Sequence, residues 1–442
     1  MKVVLCLNHF LPTRRAGTEV YVFSLAKELE KFGVICKVII PNFNCEKNDY
    51  YTFDGIEVVK YAEPSRIDKL LISGKKKPEG IAEFIKIIEN EKPNLIHFHE
   101  LLGSNNISLH HLKAVKEKGY KTLVTFHLSG YSCFTGNLLY KEKEPCNGEI
   151  DIQKCSKCYL HTKKLNPHTE QFLATLNNIL FYLNIKTMDT KSSFTTALSI
   201  NFLIKEFQVK LNKIVEYSDG IISLTNWYSS VLKLNKVPSE KINYIPQALP
   251  KQKDILVEGS TKKGNELKVV FVGRISPIKG IHLLIEAMKD LPHKLISLDI
   301  FGEPQDIKYF ENCINLTKSM SNIRWRGVVE SEMVVHELKN YDLLCLPSTT
   351  CEMAPLVIQE AFAAGLPVLA SNVQGNAEQI VSGVNGWLFN YNDSSSLEAI
   401  LQDIIEFPEE LEVIKKNISM PLPFEEVAKE HNRLYNKILL IQ

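Results

Sequence analysis

Short apolar runs alternate with amphipathic helical patterns from the first residues of the chain. The run 3–7 predicts a buried strand, and 34–40 predicts the next one. Between them, apolar positions at helical spacing predict a helix that Thr18 caps and that Gly33 ends. Strand, loop, helix and strand in this order are typical of the opening of a doubly wound α/β fold.

The same alternation continues through the first half. It predicts strands at 95–98, 121–126, 221–224 and 242–246, and helices at 79–90, 105–118 and 227–234. Two long helical patterns rich in Leu, Ile and Phe occupy 168–216. We interpret them as helices that pack in the ordinary way at a domain edge. The alternative is that they form a surface that binds a hydrophobic acceptor or rests on a bilayer.

A polar stretch at 249–266 predicts a linker, and the α/β rhythm restarts after it. Strands are predicted at 268–272, 297–301, 323–327, 342–346 and 368–370, and helices at 281–288, 331–340 and 424–440. The chain of 442 residues exceeds what one hydrophobic core usually serves. We therefore expect two α/β domains, at 1–248 and 267–421.

Composition and charge exclude some classes of protein. Hydrophobic residues make up 45% of the chain and its formal net charge is +1, so nucleic acid is not an expected partner. The apolar part of the first ten residues is too short for a signal peptide, and no apolar run approaches the roughly 18 residues of a membrane span. These features predict a cytoplasmic protein, and peripheral contact with the inner face of a membrane remains compatible with them.

Four of the ten cysteines lie in a turn-rich insertion at 129–164. Cys133, Cys146, Cys155 and Cys158 follow the spacing C-x12-C-x8-C-x2-C. The closing CxxC brings two thiolates to one ion, and two more cysteines complete the tetrahedral set that Zn²⁺ prefers. The pattern favours a structural zinc site that folds this short polar segment. An iron–sulfur cluster, an oxidised pair and free thiols are the alternatives.

Two glutamates flank the start of a short predicted helix after the strand at 342–346. Glu352 lies in the turn, Pro355 and Leu356 open the helix, and Glu360 lies inside it. Carboxylates at the carboxyl edge of a parallel sheet can accept hydrogen bonds from paired hydroxyls, such as those of sugars and riboses. Two glutamates taken alone are more often solvated surface charges.

Other candidates follow predicted strands at the same edge. In the sequence GRISPIKG, Gly273 precedes Arg274, and Lys279 precedes a helix, so two cations and a helix dipole can converge on a diphosphate. An ordinary surface loop is the alternative. Gly17 opens the first helix. One interpretation is that it lets backbone N–H groups approach a phosphate, and the alternative is that it is only a turn residue. His127 follows a strand, where it binds a ligand or packs as a structural histidine.

With these motifs the chain resembles the retaining glycosyltransferases of family 4 (glycosyl transferases group 1), in the subgroup with a cysteine-rich insertion in the N-terminal domain. The resemblance covers nearly the whole chain. Its most specific parts are GRISPIKG, the Glu352-x7-Glu360 pair, EAFAAGLPVLAS, QGNAEQIVSGVNGWLF, AGTEVYVFSLAKEL and SDGIISLTNWYS. It implies the GT-B fold, in which two Rossmann-like doubly wound domains face each other across a cleft and residues 422–442 cross back to the first domain.

The resemblance also implies residue roles. Arg274 and Lys279 would bind the diphosphate of a nucleotide-sugar co-substrate, Glu352 the hydroxyls of its sugar, and Glu360 those of its ribose. Gly17 would approach the phosphate and His127 the sugar from the facing domain. The same donor site would include Gly273, Pro355 and Leu356.

The chain departs from the family where paired glycines are common. It has Ala16-Gly17 and Gln374-Gly375 at those positions. The alanine side chain would crowd the phosphate, and the glutamine would narrow the pocket for the donor sugar. Because every charged anchor is present, we expect activity to persist.

The implied reaction moves a sugar from a nucleoside diphosphate sugar to a hydroxyl of a glycan, a lipid-linked compound or another acceptor, with retention of anomeric configuration. Surface polysaccharide or glycoconjugate synthesis is the implied setting. No catalytic metal is expected, which separates any zinc from the chemistry. A non-hydrolysing nucleotide-sugar epimerase on the same fold and a non-catalytic nucleotide-binding protein are the alternatives. The donor, the acceptor and the oligomeric state stay open.

Overall fold

The structure is a computed structural model that describes residues 1–66, 71, 74–101, 107–187, 193–250 and 266–440. The chain divides into two compact units. The first unit comprises Met1–Pro246 and Phe424–Gln442, and the second unit comprises Gln247–Pro423. Most of the linker predicted at 249–266 lies outside the described residues.

A mostly parallel sheet of eight strands forms the centre of the first unit. In chain order the strands of this unit are β1 (Lys2–Cys6), β2 (Ile35–Phe43), β3 (Asp49–Phe53), β4 (Ile56–Glu63), β5 (Leu95–His99), β6 (Lys121–Phe126), β7 (Leu139–Tyr140), β8 (Glu144–Pro145), β9 (Gly220–Ser223) and β10 (Ile242–Tyr244). Strands β7 and β8 form a separate two-stranded hairpin, and the other eight form the sheet. Their order in the sheet is β10-β9-β6-β5-β1-β2-β4-β3. Only the edge strand β3 is antiparallel to its neighbour. The sequence analysis missed both strands of this edge hairpin: β3 has no buried residue to mark a core-facing side, but β4 is mostly buried and its apolar positions were overlooked.

Helices pack against this sheet and against one another. In chain order they are α1 (Gly17–Glu30), α2 (Ile81–Glu91), α3 (Leu109–Glu117), α4 (Ile152–His161), α5 (Pro167–Tyr182), α6 (Ser193–Leu198), α7 (Ile200–Tyr217) and α8 (Asn226–Leu234). The prediction that Thr18 caps α1 was wrong, since the N-cap is Ala16, which makes no side-chain capping bond. Gly33 has φ +71 and lies two residues beyond the C-cap Lys31.

The insertion at 129–164 is more ordered than its polar composition predicted. It contains the hairpin of β7 and β8 and the ten-residue helix α4. Asp151 caps this helix by accepting a hydrogen bond from the Lys154 N–H at 2.6 Å. Only Ser156, Cys158 and Leu160 are buried on α4, so its apolar stripe was too narrow to be recognised in the sequence.

The second unit contains a six-stranded parallel sheet. Its strands are β11 (Leu267–Val272), β12 (Ile296–Phe301), β13 (Ile323–Gly327), β14 (Leu343–Leu346), β15 (Val368–Ser371) and β16 (Gly386–Phe389), and its helices are α9 (Ile281–Ala287), α10 (Ile307–Thr317), α11 (Val334–Leu338), α12 (Leu356–Ala363), α13 (Ser394–Glu406) and α14 (Pro408–Asn417). The order β13-β12-β11-β14-β15-β16 is the doubly wound 3-2-1-4-5-6 arrangement. Its switch point, where ligands bind in such sheets, lies between β11 and β14.

Successive residues of these strands enter different hydrophobic clusters. Phe271 and Cys345 belong to one cluster, and Val270 and Leu344 belong to another. Because side chains alternate between the faces of a strand, both faces of the sheet are buried. This explains why the strands read as continuous apolar runs in the sequence.

The last helix, α15 (Phe424–Leu440), packs against α1 and belongs to the first unit. The Tyr435 hydroxyl lies 2.8 Å from His97 Nδ1, and the Phe424 ring contacts the Tyr21 ring at 5.1 Å between centroids. The terminal segment is therefore part of the first core. None of the helices within the described ranges is long and apolar enough to cross a membrane.

Candidate functional site

The loops that follow β11 and β14 are joined at the switch point of the second unit. Thr349 donates hydrogen bonds to two consecutive carbonyls of the other loop. Its N–H donates to Ile278 O at 2.9 Å and its Oγ1 donates to Pro277 O at 2.8 Å. Gly280 has φ +68, and a Cβ there would lie 1.8 Å from Pro347 O. Only glycine lets the two loops approach this closely.

A partly buried ion pair connects these two loops. Lys279 Nζ lies 2.5 Å from Glu352 Oε1, and their side chains are only 13% and 16% exposed. Ser348 Oγ donates to the same Oε1 at 2.8 Å. Burial raises the pKa of Glu352, but the charge and hydrogen bond of Lys279, the Ser348 hydroxyl and the Arg274 charge outweigh it, so the net shift lowers the pKa. Glu352 is therefore an anion facing two cations.

The backbone of Glu352 is fixed by the loop after β15. Its N–H donates to Gln374 O at 3.0 Å. Gly375 has φ +90, and a Cβ there would lie 1.9 Å from Glu352 O. Of the neighbouring residues Gln374 and Gly375, the glycine is therefore the one that close packing on Glu352 requires. The Gln374 side chain is exposed.

Glu360 lies in the middle of α12. Burial raises the pKa of this carboxyl to about 7, so it is partly protonated near neutral pH. Pro355 is the N-cap of α12, with ψ 120, rather than a residue of its first turn as predicted, and Leu356 begins the helix. Pro355 still pre-organises the helix start, because its ring fixes φ at −65.

Gly273 and Arg274 follow β11 directly. Gly273 donates its N–H to Phe301 O at 3.0 Å, and a Cβ on Gly302 would lie 1.9 Å from Gly273 O. Arg274 Nη1 donates to Gln305 Oε1 at 3.2 Å. The structure therefore brings Arg274, Lys279 and Glu352 together at one edge of the sheet. Sequence reasoning missed Ser348, whose only signal was its position just beyond a strand end.

In the first unit, Gly17 begins α1 directly after the extended residue Ala16. A Cβ at Gly17 would meet nothing within 4 Å, so the space around this helix start is open. Glu19 in the same turn is buried, which raises the pKa of its carboxyl, and Arg14 Nε lies 3.6 Å from it. The start of α1 therefore carries both an acidic and a basic side chain.

His127 follows β6, is half-buried, and lies beside a group of buried histidines. Its Nε2 lies 3.2 Å from His99 Nδ1, and the Tyr21 ring packs edge-on at 5.0 Å between centroids. Burial lowers the pKa of His127 to about 3, so its ring is neutral at physiological pH. His97 and His99 of β5 are fully buried with ring centroids 3.9 Å apart. Sequence reasoning did not foresee that His99 orients His127.

The four cysteines of the insertion line one cavity of about 20 Å³, which has room for one small ion or water. Backbone N–H groups donate to two of their sulfurs, Leu138 to Cys133 at 3.4 Å and Lys141 to Cys158 at 3.2 Å. Burial and the neighbouring cysteines raise the pKa of Cys155 to about 12. This donor set fits a thiophilic cation, which would offset the cost of ionising clustered thiols.

The zinc prediction is nevertheless not confirmed. Within the part of the chain that the structure describes, no group of three or more His, Cys, Asp or Glu side chains could hold a metal ion. All four sulfurs are free thiols. The four cysteines are gathered around one cavity, and their role as metal ligands stays a prediction.

Comparison with known proteins finds a family model that matches most of the second unit. Residues 252–419 match the family model described as "Glycosyl transferases group 1". The putative colanic acid biosynthesis glycosyltransferase WcaL of Salmonella typhimurium is 25% identical over 214 residues, which cover 47% of this chain and 52% of WcaL. The chain spans about half the length of the curated relatives it matches.

Solved structures match over the whole chain. Sucrose-phosphate synthase from Thermosynechococcus elongatus has a TM-score of 0.69 at 16% identity and covers 100% of both chains. Anabaena HepE in complex with UDP and glucose has a TM-score of 0.61 at 15% identity and covers 99% of both chains. The chain therefore has two parallel-sheet domains that match GT-B glycosyltransferase structures, and its second unit contains a glycosyl transferases group 1 domain.

Proposed function

We propose that this chain is a retaining glycosyltransferase of family 4 that moves a sugar from a nucleoside diphosphate sugar to an acceptor hydroxyl. The observation that carries the proposal is the partly buried ion pair of Lys279 and Glu352, with Arg274 beside it, at the switch point of a group 1 domain. UDP and glucose in the HepE structure support a nucleotide-sugar donor, and the role named for WcaL supports polysaccharide synthesis. The proposed acceptor is a glycan, a lipid-linked compound or another hydroxyl compound, met at the cytoplasmic face of a membrane.

The charged side chains of this edge suggest how the donor would bind. Arg274 and Lys279 would bind the diphosphate and stabilise the negative charge that builds on it as the sugar leaves. The two side-chain hydrogen bonds to Glu352 both reach Oε1, so we assign Oε2 to the hydroxyls of the donor sugar. Glu360 would hold the ribose hydroxyls, and Gly273, Pro355 and Leu356 would line the same donor site.

The proposed transfer keeps the configuration of the sugar. The bond from the anomeric carbon to the leaving phosphate oxygen breaks, and the acceptor oxygen bonds to the same face of that carbon. The leaving phosphate takes the acceptor proton, so no side chain has to act as nucleophile. Gly17 near the phosphate and His127 near the sugar are the contributions we assign to the first unit.

A thermal-shift screen of nucleoside diphosphates and their sugars tests the donor assignment. We expect one base and one sugar to raise the melting temperature, because a ligand that binds only the folded state stabilises it. The selected donor, radiolabelled, should then pass its sugar to a mixture of glycan and lipid-linked acceptors. Release of free or rearranged sugar without any acceptor would instead identify an epimerase or hydrolase.

We further propose that the four clustered cysteines bind a structural Zn²⁺ in the insertion. The purified protein should contain about one zinc per chain, the stoichiometry of a four-cysteine site. Cys133→Ser and Cys158→Ser should lose the metal and melt at lower temperature, whereas Cys45→Ser, outside the insertion, should change neither. Metal-free protein in which all three variants are equally stable would refute the site.

A further inference from the structure

Helix α5 exposes a face without charged side chains. The exposed residues of this face recur at helical spacing and are His168, Gln171, Phe172, Thr175, Ile179 and Tyr182. Three of them are large and accessible, with Phe172 63%, Ile179 50% and Tyr182 89% exposed. The exposed side of a helix in a globular protein normally carries charge, so this α5 outer face suits an apolar environment.

The opposite face of α5 already has its packing partners. Leu173 and Ala174 are buried in a cluster with residues of α4 and α6. Asn177 Nδ2 donates to Ala197 O at 2.8 Å in the same interior. Because these contacts fix the rotation of the helix, Phe172, Ile179 and Tyr182 cannot turn inward.

The apolar surface continues beyond the end of the helix. Leu183 is 57% exposed and Ile185 is 47% exposed in the segment that follows Tyr182. Five large apolar side chains therefore lie exposed within fourteen residues, between Phe172 and Ile185. Scattered exposed apolar residues are normal in globular proteins, but a row at one helix face marks an interaction surface.

The charges around this face are positive. Lys163 and Lys164 precede α5, Lys186 follows it, and all three side chains are exposed. Between residues 161 and 187 the only acidic side chain is Glu170. It is 14% exposed and paired with Lys141 at 2.9 Å and with His161 at 3.2 Å. The accessible charges flanking the α5 outer face thus complement an anionic surface.

We propose that the α5 outer face, extended by Leu183 and Ile185, rests on an anionic lipid bilayer. Phe172 and Ile179 would enter the boundary of the acyl chains, and Tyr182 would place its hydroxyl among the headgroups. The flanking lysines would meet lipid phosphates, each contributing electrostatic attraction that salt weakens. This inference goes beyond the proposed transfer reaction, since binding to lipid needs neither donor nor acceptor.

Co-sedimentation with lipid vesicles tests the proposal. The full chain should pellet with vesicles of three parts phosphatidylcholine and one part phosphatidylglycerol, and much less with phosphatidylcholine alone. The triple variant Phe172→Ser, Ile179→Ser, Tyr182→Ser should bind at least about tenfold more weakly, because each buried apolar side chain contributes to interfacial affinity. Lys163→Glu, Lys164→Glu and Lys186→Glu combined should abolish the preference for phosphatidylglycerol.

The matched control removes equally exposed apolar side chains from the second unit. Phe407, Val413 and Met420 are 49%, 58% and 76% exposed, and the variant with serine at all three should bind vesicles like the parent. Equal binding of parent and α5 variant, or no binding of the parent, would overturn the proposal. It would also be overturned if light scattering showed a dimeric parent and a monomeric α5 variant, because the face would then join two copies of the chain.

Discussion

Lys279 and Glu352 are 73 positions apart in the sequence and 2.5 Å apart in the structure. The Lys279 ammonium keeps the partly buried Glu352 carboxylate ionised, and the carboxylate keeps the ammonium in place before any phosphate arrives. Ser348 adds a hydrogen bond to the same oxygen. At the scale of the residue, the candidate donor site is therefore organised in advance by opposite charges in a partly dry environment.

Replacing Lys279 tests whether this lysine acts in sugar transfer or is an ordinary surface charge. Lys279→Ala should lower the rate of sugar transfer by about 10²–10³-fold, because one preorganised charge at the leaving diphosphate is lost. Glu352 loses its main cation, so its pKa should rise. Lys289→Ala, which removes an exposed lysine ten positions later, is the control for the assay of radiolabelled sugar transfer. Equal turnover in both variants would refute the role of Lys279.

Glu360 should make donor binding depend on pH. Its pKa is raised to about 7 by burial, so the carboxylate fraction grows from about a tenth at pH 6 to about nine tenths at pH 8. If the carboxylate accepts the ribose hydroxyls, affinity for a nucleoside diphosphate sugar should increase over this range. The phosphates of such a donor do not titrate there. Calorimetry should show a flat profile for Glu360→Gln, and a wild-type affinity that is constant with pH would contradict the assignment.

At the scale of the element, loops at the carboxyl edge of the second sheet are held together by close backbone contacts at glycines. Gly280 contacts the loop after β14, and Gly375 contacts the backbone of Glu352. The sequence displayed these glycines within recognisable motifs, but their contacts join segments far apart in the chain. The strands that the loops follow were predicted because both faces of the sheet are buried. The strand β3, which is exposed, and the helix α4, which buries only a narrow apolar stripe, were not predicted.

A pair of glycine variants tests whether the contact itself matters. Gly375→Ala and Gly383→Ala both place alanine at positive φ, +90 and +78, which costs about 1–3 kcal/mol of stability in each. Only at Gly375 does the new methyl group meet the carbonyl of Glu352; nothing lies within 4 Å at Gly383. Chemical denaturation should show the larger loss of stability in Gly375→Ala, because its methyl group also clashes with backbone, and donor binding by the folded protein should fail only in Gly375→Ala. Equal donor affinity in the two variants would mean that the contact does not position Glu352.

At the scale of the whole molecule, the chain returns to its first unit at the end. The terminal helix α15 supplies His431 and Tyr435 to a group that includes His97 and His99. Tyr21 from α1 reaches His431 Nε2 at 3.4 Å. Segments more than 400 positions apart therefore share one interior, beside the histidine that we assign to the donor sugar.

This interior should make the first unit sensitive to acid. Burial lowers the pKa of His127 to about 3, that of His431 to about 4, and those of His97 and His99 below the ordinary value of 6.5. The unfolded chain binds these protons more readily, so the free energy of unfolding should fall as pH decreases below about 6.5. The loss approaches about 1.4 kcal/mol per histidine for each pH unit.

Urea denaturation between pH 7 and pH 5 measures this dependence. His431→Gln should flatten the decline of the free energy of unfolding, whatever its effect on stability at pH 7. His293→Gln removes an exposed histidine of the second unit and should leave the slope unchanged. Parallel slopes in the parent and His431→Gln would show that this histidine is protonated equally in the folded and unfolded chain.

The sequence by itself determined most of the strands of both sheets and most of the helices, because buried parallel strands and amphipathic helices leave periodic apolar patterns; it did not predict β3, β4 or β16. It also indicated Arg274, Lys279, Glu352 and Glu360 as candidate ligand-binding residues in the segments that follow strands. Which of these side chains touch was decided only by the tertiary structure, since the switch point brings together loops from strands that are neighbours in space and not in the chain. The pKa values of Glu360 and His127 were decided there too, because burial is a property of the folded surroundings rather than of a residue.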